Sequence, residues 1–219
     1  MSQVRLIAFT QPIELEGVQT GEELVAYCAR VSNPANQANH ETAPRLLTYL
    51  VRNQHWSPFE MAHAVIEIQT TRDIARQILR HRSFSFQEFS QRYAEVVADP
   101  VLREPRLQDT TNRQNSTPAH DAQLRSWWDD QQAWLAEQAT KVYQDALNQG
   151  IAKEVARAVL PEGLTPSRLY MAGSVRSWIH YIQLRRSNGT QKEHREIATM
   201  CELALLHVMP SLEEIFNAP

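Results

Sequence analysis

The sequence predicts a single α+β domain over residues 1–219, with more helix than strand. Residues 64–70 alternate apolar and polar side chains with a period of two, which is typical of a half-buried strand. Several longer segments repeat apolar residues at helical spacing instead. No internal repeat, low-complexity tract or long linker divides the chain, so its length fits one domain with a sizeable core.

These patterns predict the individual elements. Strands are predicted at residues 4–9, 64–70 and 168–174, and helices at residues 21–31, 42–53, 72–81, 117–148, 153–159, 176–186 and 194–209. A loop is predicted at residues 55–59, an extended or irregular segment at 84–94, and a long loop with some strand at 101–115. Thr71 and Thr117 are the predicted caps of the third and fourth helices, and Pro118 favours a helix start. The fourth helix is predicted to carry one apolar stripe, which comprises Leu124, Trp128, Leu135, Val142 and Ala146.

Composition argues against several classes of function. The net charge of −3 disfavours a nucleic-acid partner, since such partners attract basic surfaces. No apolar run is long enough to span a membrane and the N-terminus does not resemble a signal peptide, so we expect a cytoplasmic protein. The six glycines are too scattered to form a phosphate-binding loop. No Cys and His residues occur at metal-ligand spacing, so we expect no metal site.

The densest polar segment is residues 80–93. It begins with Arg80, His81 and Arg82 at a predicted helix end, and continues with hydroxyls, a carboxylate and Arg92. Cations at a helix C-terminus complement the helix dipole, but that accounts for only one or two of these groups. Arginine side chains can bind phosphate oxygens in a bidentate manner. The segment therefore favours an anion or nucleotide site over a solvated helix end.

This segment also closely resembles a motif of the flavin-dependent thymidylate synthases. The motif reads Arg-His-Arg, two residues, Ser, one residue, Asn-Glu, one residue, Ser, one residue, Arg. The residues that match it are Arg80, His81, Arg82, Ser85, Glu88, Ser90 and Arg92. Gln87 stands where the family usually has Asn, and its extra methylene is expected to shift the local hydrogen bonds.

Three further segments resemble the same family. Residues 55–60 are similar to its His-x-Ser/Thr-Pro-Phe-Glu loop, although Met61 stands where His often follows, and His63 is assigned no role. Residues 156–161 resemble its Ala-Arg-x-x-Leu-Pro segment. Residues 174–185 fall where the family has Asn-x-Arg, Asn and Leu-Arg, and this chain has substitutions at the two Asn positions, Ser174 and His180.

The resemblance implies a homotetramer with a central, mostly antiparallel sheet and active sites shared between subunits. The residues that would hold FAD are Ser57, Arg80, His81, Arg82, Glu88, Ser174, Arg176 and His180. The residues that would hold dUMP are Gln77, Arg80, Glu88, Ser90, Gln91 (through its backbone), Arg92, Arg157 and Arg185. NADPH would reduce the flavin, and methylene-tetrahydrofolate would supply the carbon that converts dUMP to dTMP.

The residues also bear on the mechanism. A cysteine that attacks uracil C6 must be an activated thiolate, but Cys28 and Cys201 have no basic neighbour in sequence and are predicted to be core residues. Ser90 lacks a nearby base, so we expect it to orient the substrate. The resemblance implies that reduced flavin delivers hydride to the uracil, while the catalytic residue Arg185 stabilises negative charge on the ring.

Alternatives stay open for several of these residues. Without the resemblance, Arg157 is a surface ion-pair residue, Arg185 a cation at a helix end and His180 a core histidine. The two tryptophans at 127 and 128 are predicted to pack rather than to stack on a base. The rival classes are a nucleic-acid-binding module built on the arginines at 72, 76, 80 and 82, and a non-catalytic nucleotide-binding protein of the same fold.

Overall fold

The computed structural model describes residues 2–217, which form six strands and eight α-helices. The strands are β1 (Gln3–Phe9), β2 (His63–Thr71), β3 (Ser85–Glu88), β4 (Arg106–Gln108), β5 (Ser116–Pro118) and β6 (Pro166–Ser174). The helices are α1 (Gly21–Ala29), α2 (Ala43–Arg52), α3 (Arg72–Ile78), α4 (Ala122–Asn148), α5 (Lys153–Ala156), α6 (Val175–Arg185), α7 (Lys192–Leu206) and α8 (Leu212–Phe216). Short 3₁₀ turns occur at Pro34–Asn36, Ser57–Glu60 and Arg157–Val159.

The main sheet has four strands in the order β1-β2-β6-β3, and each neighbouring pair is antiparallel. β2 and β6 form its centre and pair along their whole length, from His63 opposite Ser174 to Thr71 opposite Pro166. β4 and β5 form a separate two-stranded ribbon. The helix-rich α+β class with an antiparallel sheet is therefore confirmed.

One face of the central strands forms the hydrophobic core. Ile66 and Ile68 of β2 lie opposite Met171 and Leu169 of β6, and all four side chains are fully buried. Alternate residues of a strand point to the same face, so these four side chains share one side of the sheet. They pack in one cluster with apolar residues of α3, α6 and α7. Because α7 contacts both α3 and α6, this packing holds the C-terminal end of α3 near those two helices.

Helix α4 begins later than the sequence predicts. Thr117 and Pro118 belong to β5, and the N-cap is Asp121, whose carboxylate accepts hydrogen bonds from the backbone N–H groups of Gln123 and Leu124. The Thr-Pro pair fits a helix start equally well in sequence, but the ribbon with β4 takes it instead.

The predicted apolar stripe of α4 is buried only in part, since Leu124, Trp128 and Ala146 are partly buried. Leu135 and Val142 are about half exposed, whereas Gln132 and Tyr143 are buried. Gln132 holds the backbone of Arg103 through two hydrogen bonds, from the Arg103 N–H at 2.8 Å and to its carbonyl at 2.9 Å. The helix thus rests on a polar loop rather than on the sheet, and apolar spacing does not identify such a face.

Other boundaries also differ from the prediction. α3 ends at Ile78, three residues early, and the hydroxyl of its N-cap Thr71 donates to the Asp73 carboxylate instead of capping the backbone. Ser57–Glu60 forms a 3₁₀ turn where a loop is predicted, because proline is compatible with the first turn of a helix. α8 is missed by the sequence prediction.

The two cysteines have different surroundings. Cys201 is fully buried in the core, as predicted, and burial raises its pKa well above the ordinary value. Cys28 is only half-buried, and burial raises its pKa as well. Neither thiol is activated.

Among residues 2–217, no helix combines the length and the apolar character needed to cross a membrane.

Candidate active site

The polar motif at residues 80–92 extends past both ends of strand β3. Its first residues follow α3, its middle forms β3, and Ser90 and Arg92 come after the strand. Ser85 lies opposite Ala172 and Glu88 opposite Leu169, so β3 runs back along β6. Three residue steps of a strand cover about 10 Å, which puts the two parts of the motif at opposite ends of β3.

The first part of the motif meets the end of α6. Arg185 donates from Nε to Nε2 of His81, with 2.9 Å between the two nitrogens. Burial, the charge of Arg185 and that of Arg80 together lower the pKa of His81 to about 4. His81 is therefore neutral at pH 7 and accepts at Nε2, so its proton resides on Nδ1. The guanidinium of Arg185 keeps its terminal N–H groups for another partner.

A buried histidine, which the sequence does not reveal as part of the site, lies behind His81 and Arg185. His194 of α7 is fully buried, and its two ring nitrogens lie 3.2 Å from Gln77 Oε1 and 3.2 Å from the Tyr181 hydroxyl. The rings of His81 and His194 have centroids 6.3 Å apart. We call Gln77, His81, Tyr181, Arg185 and His194 the helix-end cluster.

The second part of the motif meets α5. Arg92 Nε lies 3.5 Å from a carboxylate oxygen of Glu154, and Arg157 Nε donates to the Glu154 carbonyl at 3.4 Å. Ser90 is exposed and lines a cavity of about 500 Å³ together with Arg92 and residues 152–154. We call Ser90, Arg92, Glu154 and Arg157 the loop cluster. Thus the structure brings together three of the predicted dUMP residues here, and Gln77 and Arg185 in the helix-end cluster.

Glu88 and Gln91 lie near the second end of β3. Glu88 accepts a hydrogen bond from the Ser167 hydroxyl at 2.7 Å and lies 3.6 Å from Arg72. The Gln91 side chain is buried, with 3% exposed, and its Nε2 has no hydrogen-bond partner among the described residues. Because the residue is buried, the Gln91 side chain is not available to a ligand.

The remaining predicted FAD residues surround the start of α6. Ser174 is the N-cap of this helix, and its hydroxyl accepts from the Ser177 N–H at 3.3 Å. Arg176 Nη1 donates to Glu60 Oε1 at 2.8 Å. Hydrogen bonds from Ser174 and Arg176 lower the pKa of Glu60, so it is ionised. The structure thus joins the turn that contains Ser57 to α6.

His180 does not lie in the core, so that alternative is wrong. Its side chain is exposed and packs on Trp56, with 4.4 Å between ring centroids. One helical turn separates it from Arg176, and both residues face the 57–60 turn. Trp127 is likewise about half exposed, whereas Trp128 is partly buried and its indole N–H donates to the Arg103 carbonyl.

Arg80 and Arg82 extend into solvent. Both are exposed, and within residues 2–217 neither forms an ion pair or a side-chain hydrogen bond. Arg76, one helical turn earlier, is instead paired with Glu162, and Arg72 faces Glu88. The four arginines therefore do not form one basic face, which weighs against a nucleic-acid surface.

A larger cavity lies beside these residues and is partly lined by Ser167, the hydrogen-bond partner of Glu88. It measures about 1190 Å³ and is lined by residues of β2, β6, the 95–104 loop and α7, but by none of the predicted site residues. No group of three or more His, Cys, Asp or Glu side chains placed to hold a metal ion occurs in the described part of the chain. The candidate active site is therefore the one defined by the helix-end cluster and the loop cluster, not the larger cavity.

Comparison with known proteins identifies the family. Residues 14–211 match the family model described as thymidylate synthase complementing protein. The chain belongs to the flavin-dependent thymidylate synthases. Within this family it is 51% identical over 213 residues to the probable flavin-dependent thymidylate synthase of Paramecium bursaria Chlorella virus 1, covering 97% of this chain and 98% of the relative.

Two further proteins similar to this flavin-dependent thymidylate synthase support the same family assignment. The flavin-dependent thymidylate synthase of Synechocystis is 49% identical over 211 residues, covering 95% of this chain and 96% of the relative. A solved structure of the UMP/dUMP methylase PolB from Streptomyces cacaoi, bound with 5-bromo-UMP, matches with a TM-score of 0.84 and 28% identity. That match covers 100% of this chain and 94% of the other.

Sequence reasoning missed four side chains that contact the predicted site of this flavin-dependent thymidylate synthase. They are Trp56, Tyr181, Gln191 and His194. The sequence does place Trp56 beside the predicted FAD loop, which is a usable signal. The other three lie more than a hundred residues from Gln77 along the chain, and no local pattern indicates their contact with it.

Proposed function

We propose that this flavin-dependent thymidylate synthase converts dUMP to dTMP with FAD, NADPH and methylene-tetrahydrofolate. We further propose that it does so as a homotetramer with shared sites. The supporting observation is the contact between Arg185 and neutral His81, which fixes a cation beside the motif. FAD, once reduced by NADPH, supplies the hydride, and methylene-tetrahydrofolate supplies the carbon.

The exposed arginines fit the pyrophosphate of FAD. Arg80 and Arg82 have no carboxylate partner among the described residues, so their guanidinium groups remain available to phosphate oxygens. Planar guanidinium groups bind such oxygens through paired hydrogen bonds. Ser57, Arg176 and His180 form a neighbouring surface on the 57–60 turn and α6, which fits the remainder of this cofactor. Ser174 contributes by capping α6, and Glu88 is held by Ser167.

Arg185 has the chemistry required of an electrostatic catalyst. The bond to His81 uses its Nε and leaves the two terminal nitrogens free to face the pyrimidine. His81 is neutral and Arg185 forms no ion pair with a carboxylate among the described residues, so the positive charge of Arg185 is not cancelled. A fixed cation stabilises charge that develops in the transition state more than it stabilises the ground state. No thiol takes part, since Cys201 is buried and Cys28 has a raised pKa.

The separation of the two clusters supports a shared site. dUMP would contact Gln77, Arg80 and Arg185 at one end of β3, and Glu88, Ser90, Gln91, Arg92 and Arg157 at the other. A second copy of the chain that presents its loop cluster to the helix-end cluster of the first would complete one site. Symmetric oligomers commonly build sites in this way.

Subunit complementation tests this proposal. Arg185→Ala and Arg92→Ala are unfolded together and refolded as a mixture, and all proteins are assayed at a dUMP concentration well below the wild-type KM, where the raised KM of Arg92→Ala makes this parent weakly active as well. If the two clusters come from different subunits, about a quarter of the sites in mixed oligomers receive both intact clusters, and turnover returns. Recovery of dUMP-dependent NADPH oxidation in the mixture, above either parent refolded alone, is the expected result.

Three outcomes count against the proposal. A mixture no more active than its parents contradicts the shared site, because every chain then contains one defective cluster of its own site. A wild-type protein that takes up no FAD and has no dUMP-dependent turnover contradicts the proposed chemistry as a whole. Binding of dUMP and FAD without turnover would favour the non-catalytic nucleotide-binding alternative.

A further inference from the structure

A continuous chain of hydrogen bonds connects α6, α3 and α7 beneath the helix-end cluster. From one end to the other it joins Tyr181, His194, Gln77, Gln191 and Glu193. The successive distances between donor and acceptor atoms are 3.2, 3.2, 2.8 and 3.0 Å. Only Gln77, in the middle of this chain, is among the residues assigned to the substrate site.

The Glu193 carboxylate at one end of this chain determines which group donates and which accepts in every hydrogen bond. Although burial opposes ionisation, hydrogen bonds from Arg106 and the charge of Arg103 lower the pKa of Glu193 to about 2. An ionised carboxylate can only accept, so Gln191 donates to it from Nε2 and turns its Oε1 towards Gln77. Gln77 must then donate from its own Nε2 to Gln191 Oε1.

The same argument determines which ring nitrogen of His194 bears the proton. Gln77 Oε1 is left facing His194 Nδ1, so that nitrogen must bear the proton. Burial, with the charges of Arg185 and then His81, lowers the pKa of His194 to about 3, so the ring is neutral. Its Nε2 therefore accepts from the Tyr181 hydroxyl, which burial keeps protonated by raising its pKa.

We propose that His194 is a positioning residue for the substrate site, because it occupies the only acceptor atom of the Gln77 side chain. Gln191 takes one of the two N–H groups of the same amide and His194 takes one of the two lone pairs of its oxygen, so the amide is held in one orientation with its second N–H available to a bound nucleotide. This inference rests on the proposed function, in which Gln77 contacts dUMP. It makes the matching atom of the nucleotide an oxygen acceptor, either a pyrimidine carbonyl or a phosphate oxygen.

The test compares two amide replacements of similar polarity. The amide nitrogen of Asn at position 194 lies near the position of Nδ1 and can still donate to Gln77 Oε1, whereas that of Gln lies near the position of Nε2 and faces Tyr181. His194→Asn should keep the KM for dUMP within about twofold of wild type, and His194→Gln should raise it by roughly five- to tenfold, the usual effect of one neutral hydrogen bond. kcat and flavin per subunit should stay within about twofold in both variants, since neither touches the reacting atoms. Equal KM values for the two variants, or a loss confined to kcat, would overturn the proposal.

A double-variant cycle separates positioning from a general effect on packing. Gln77→Leu removes the amide, so adding His194→Gln to it should raise the KM for dUMP no further. Additive losses would mean that His194 acts on the site by another route.

Repeating the comparison with 2′-deoxyuridine as a competitive ligand distinguishes the two acceptors. A penalty that persists without the phosphate indicates a pyrimidine carbonyl, and one that disappears indicates a phosphate oxygen.

One further measurement is independent of activity. In protein labelled with ¹⁵N-histidine, with His194→Asn used to assign the signal, His194 should be the neutral Nδ1–H tautomer at pH 7. The Nε2–H tautomer, or a protonated ring, would contradict the hydrogen-bond chain even if the enzyme is active. Conversely, the expected tautomer in a protein that fails to bind dUMP would refute the proposed function while leaving the chain intact.

Discussion

The helix-end cluster and the loop cluster differ in how firmly the chain itself holds them. In the helix-end cluster, His194 and Tyr181 are fully buried and Arg185 is hydrogen-bonded to a neutral ring. In the loop cluster, the side chains of Arg92 and Glu154 are 68% and 56% exposed at a separation of 3.5 Å. Exposed ion pairs of this kind contribute little to stability. One half of the proposed site is therefore preorganised by folding, whereas the other half is held by exposed contacts alone.

The largest expected effect tests the preorganised half. Arg185→Ala should lower turnover by roughly 100-fold or more, because it removes a fixed cation from the position where charge develops. Flavin content should remain near that of wild type. Arg185→Lys should recover only part of the loss, since a point charge does not reproduce the planar guanidinium. The measurements are dUMP-dependent NADPH oxidation and flavin absorbance per subunit.

Arg80→Ala is the matched control for Arg185→Ala. It removes an exposed arginine assigned to both FAD and dUMP, and at saturating dUMP it should lower flavin content first, with turnover following the fraction of subunits that retain flavin. If Arg185→Ala strips the flavin or leaves turnover unchanged, its assigned role is incorrect.

A second prediction concerns the acid stability of the preorganised half. The pKa of His194 is lowered from 6.5 to about 3 in the folded protein, so the unfolded chain binds the extra proton first as the pH falls. The free energy of unfolding should therefore decrease as the pH drops below about 6.5, and this contribution should level off only below about pH 3. From about pH 7 to about pH 5, one such histidine accounts for a loss of roughly 2 kcal/mol.

The comparison of wild type with His194→Leu isolates this contribution. Urea unfolding at the two pH values should give a smaller pH-dependent loss in the variant, whatever its absolute stability. Equal losses in the two proteins would mean that His194 is not held neutral by burial. His81, whose pKa is lowered to about 4, contributes in the same direction in both proteins.

The smallest expected effect tests the loop cluster. Arg92→Ala should raise the KM for dUMP by about tenfold, as expected for one hydrogen bond to a charged group. It should leave the thermal stability of the free protein nearly unchanged, since its ion pair with Glu154 is exposed. Arg52→Ala, which removes an exposed arginine from the end of α2, serves as the control and should leave the KM unchanged. A marked loss of stability in Arg92→Ala without a change in KM would show that the loop cluster is structural.

The sequence by itself determined the elements whose patterns are local. The alternation at residues 64–70 predicts β2, because a strand with one face on the core must alternate. The motif at residues 80–92 predicts an anion site, because residue types and their spacing within one short segment can be interpreted without knowing the fold. Family resemblance supplies the identity of the ligands. The predicted start of helix α4 is wrong, since Thr117 and Pro118 fit a helix or a ribbon equally well.

Only the tertiary structure decided which distant residues support the motif. His81 meets Arg185, and Gln77 meets His194 and Gln191, across about a hundred residues of chain. These contacts exist because α3, α6 and α7 pack on one another over the sheet, and no local pattern encodes that neighbourhood. The direction of each hydrogen bond in the cluster depends in turn on the charge of Glu193, which Arg103 and Arg106 hold from a separate loop and ribbon. A short sequence motif can therefore name the ligand-binding groups, but their orientation and charge state are set by the packing behind them.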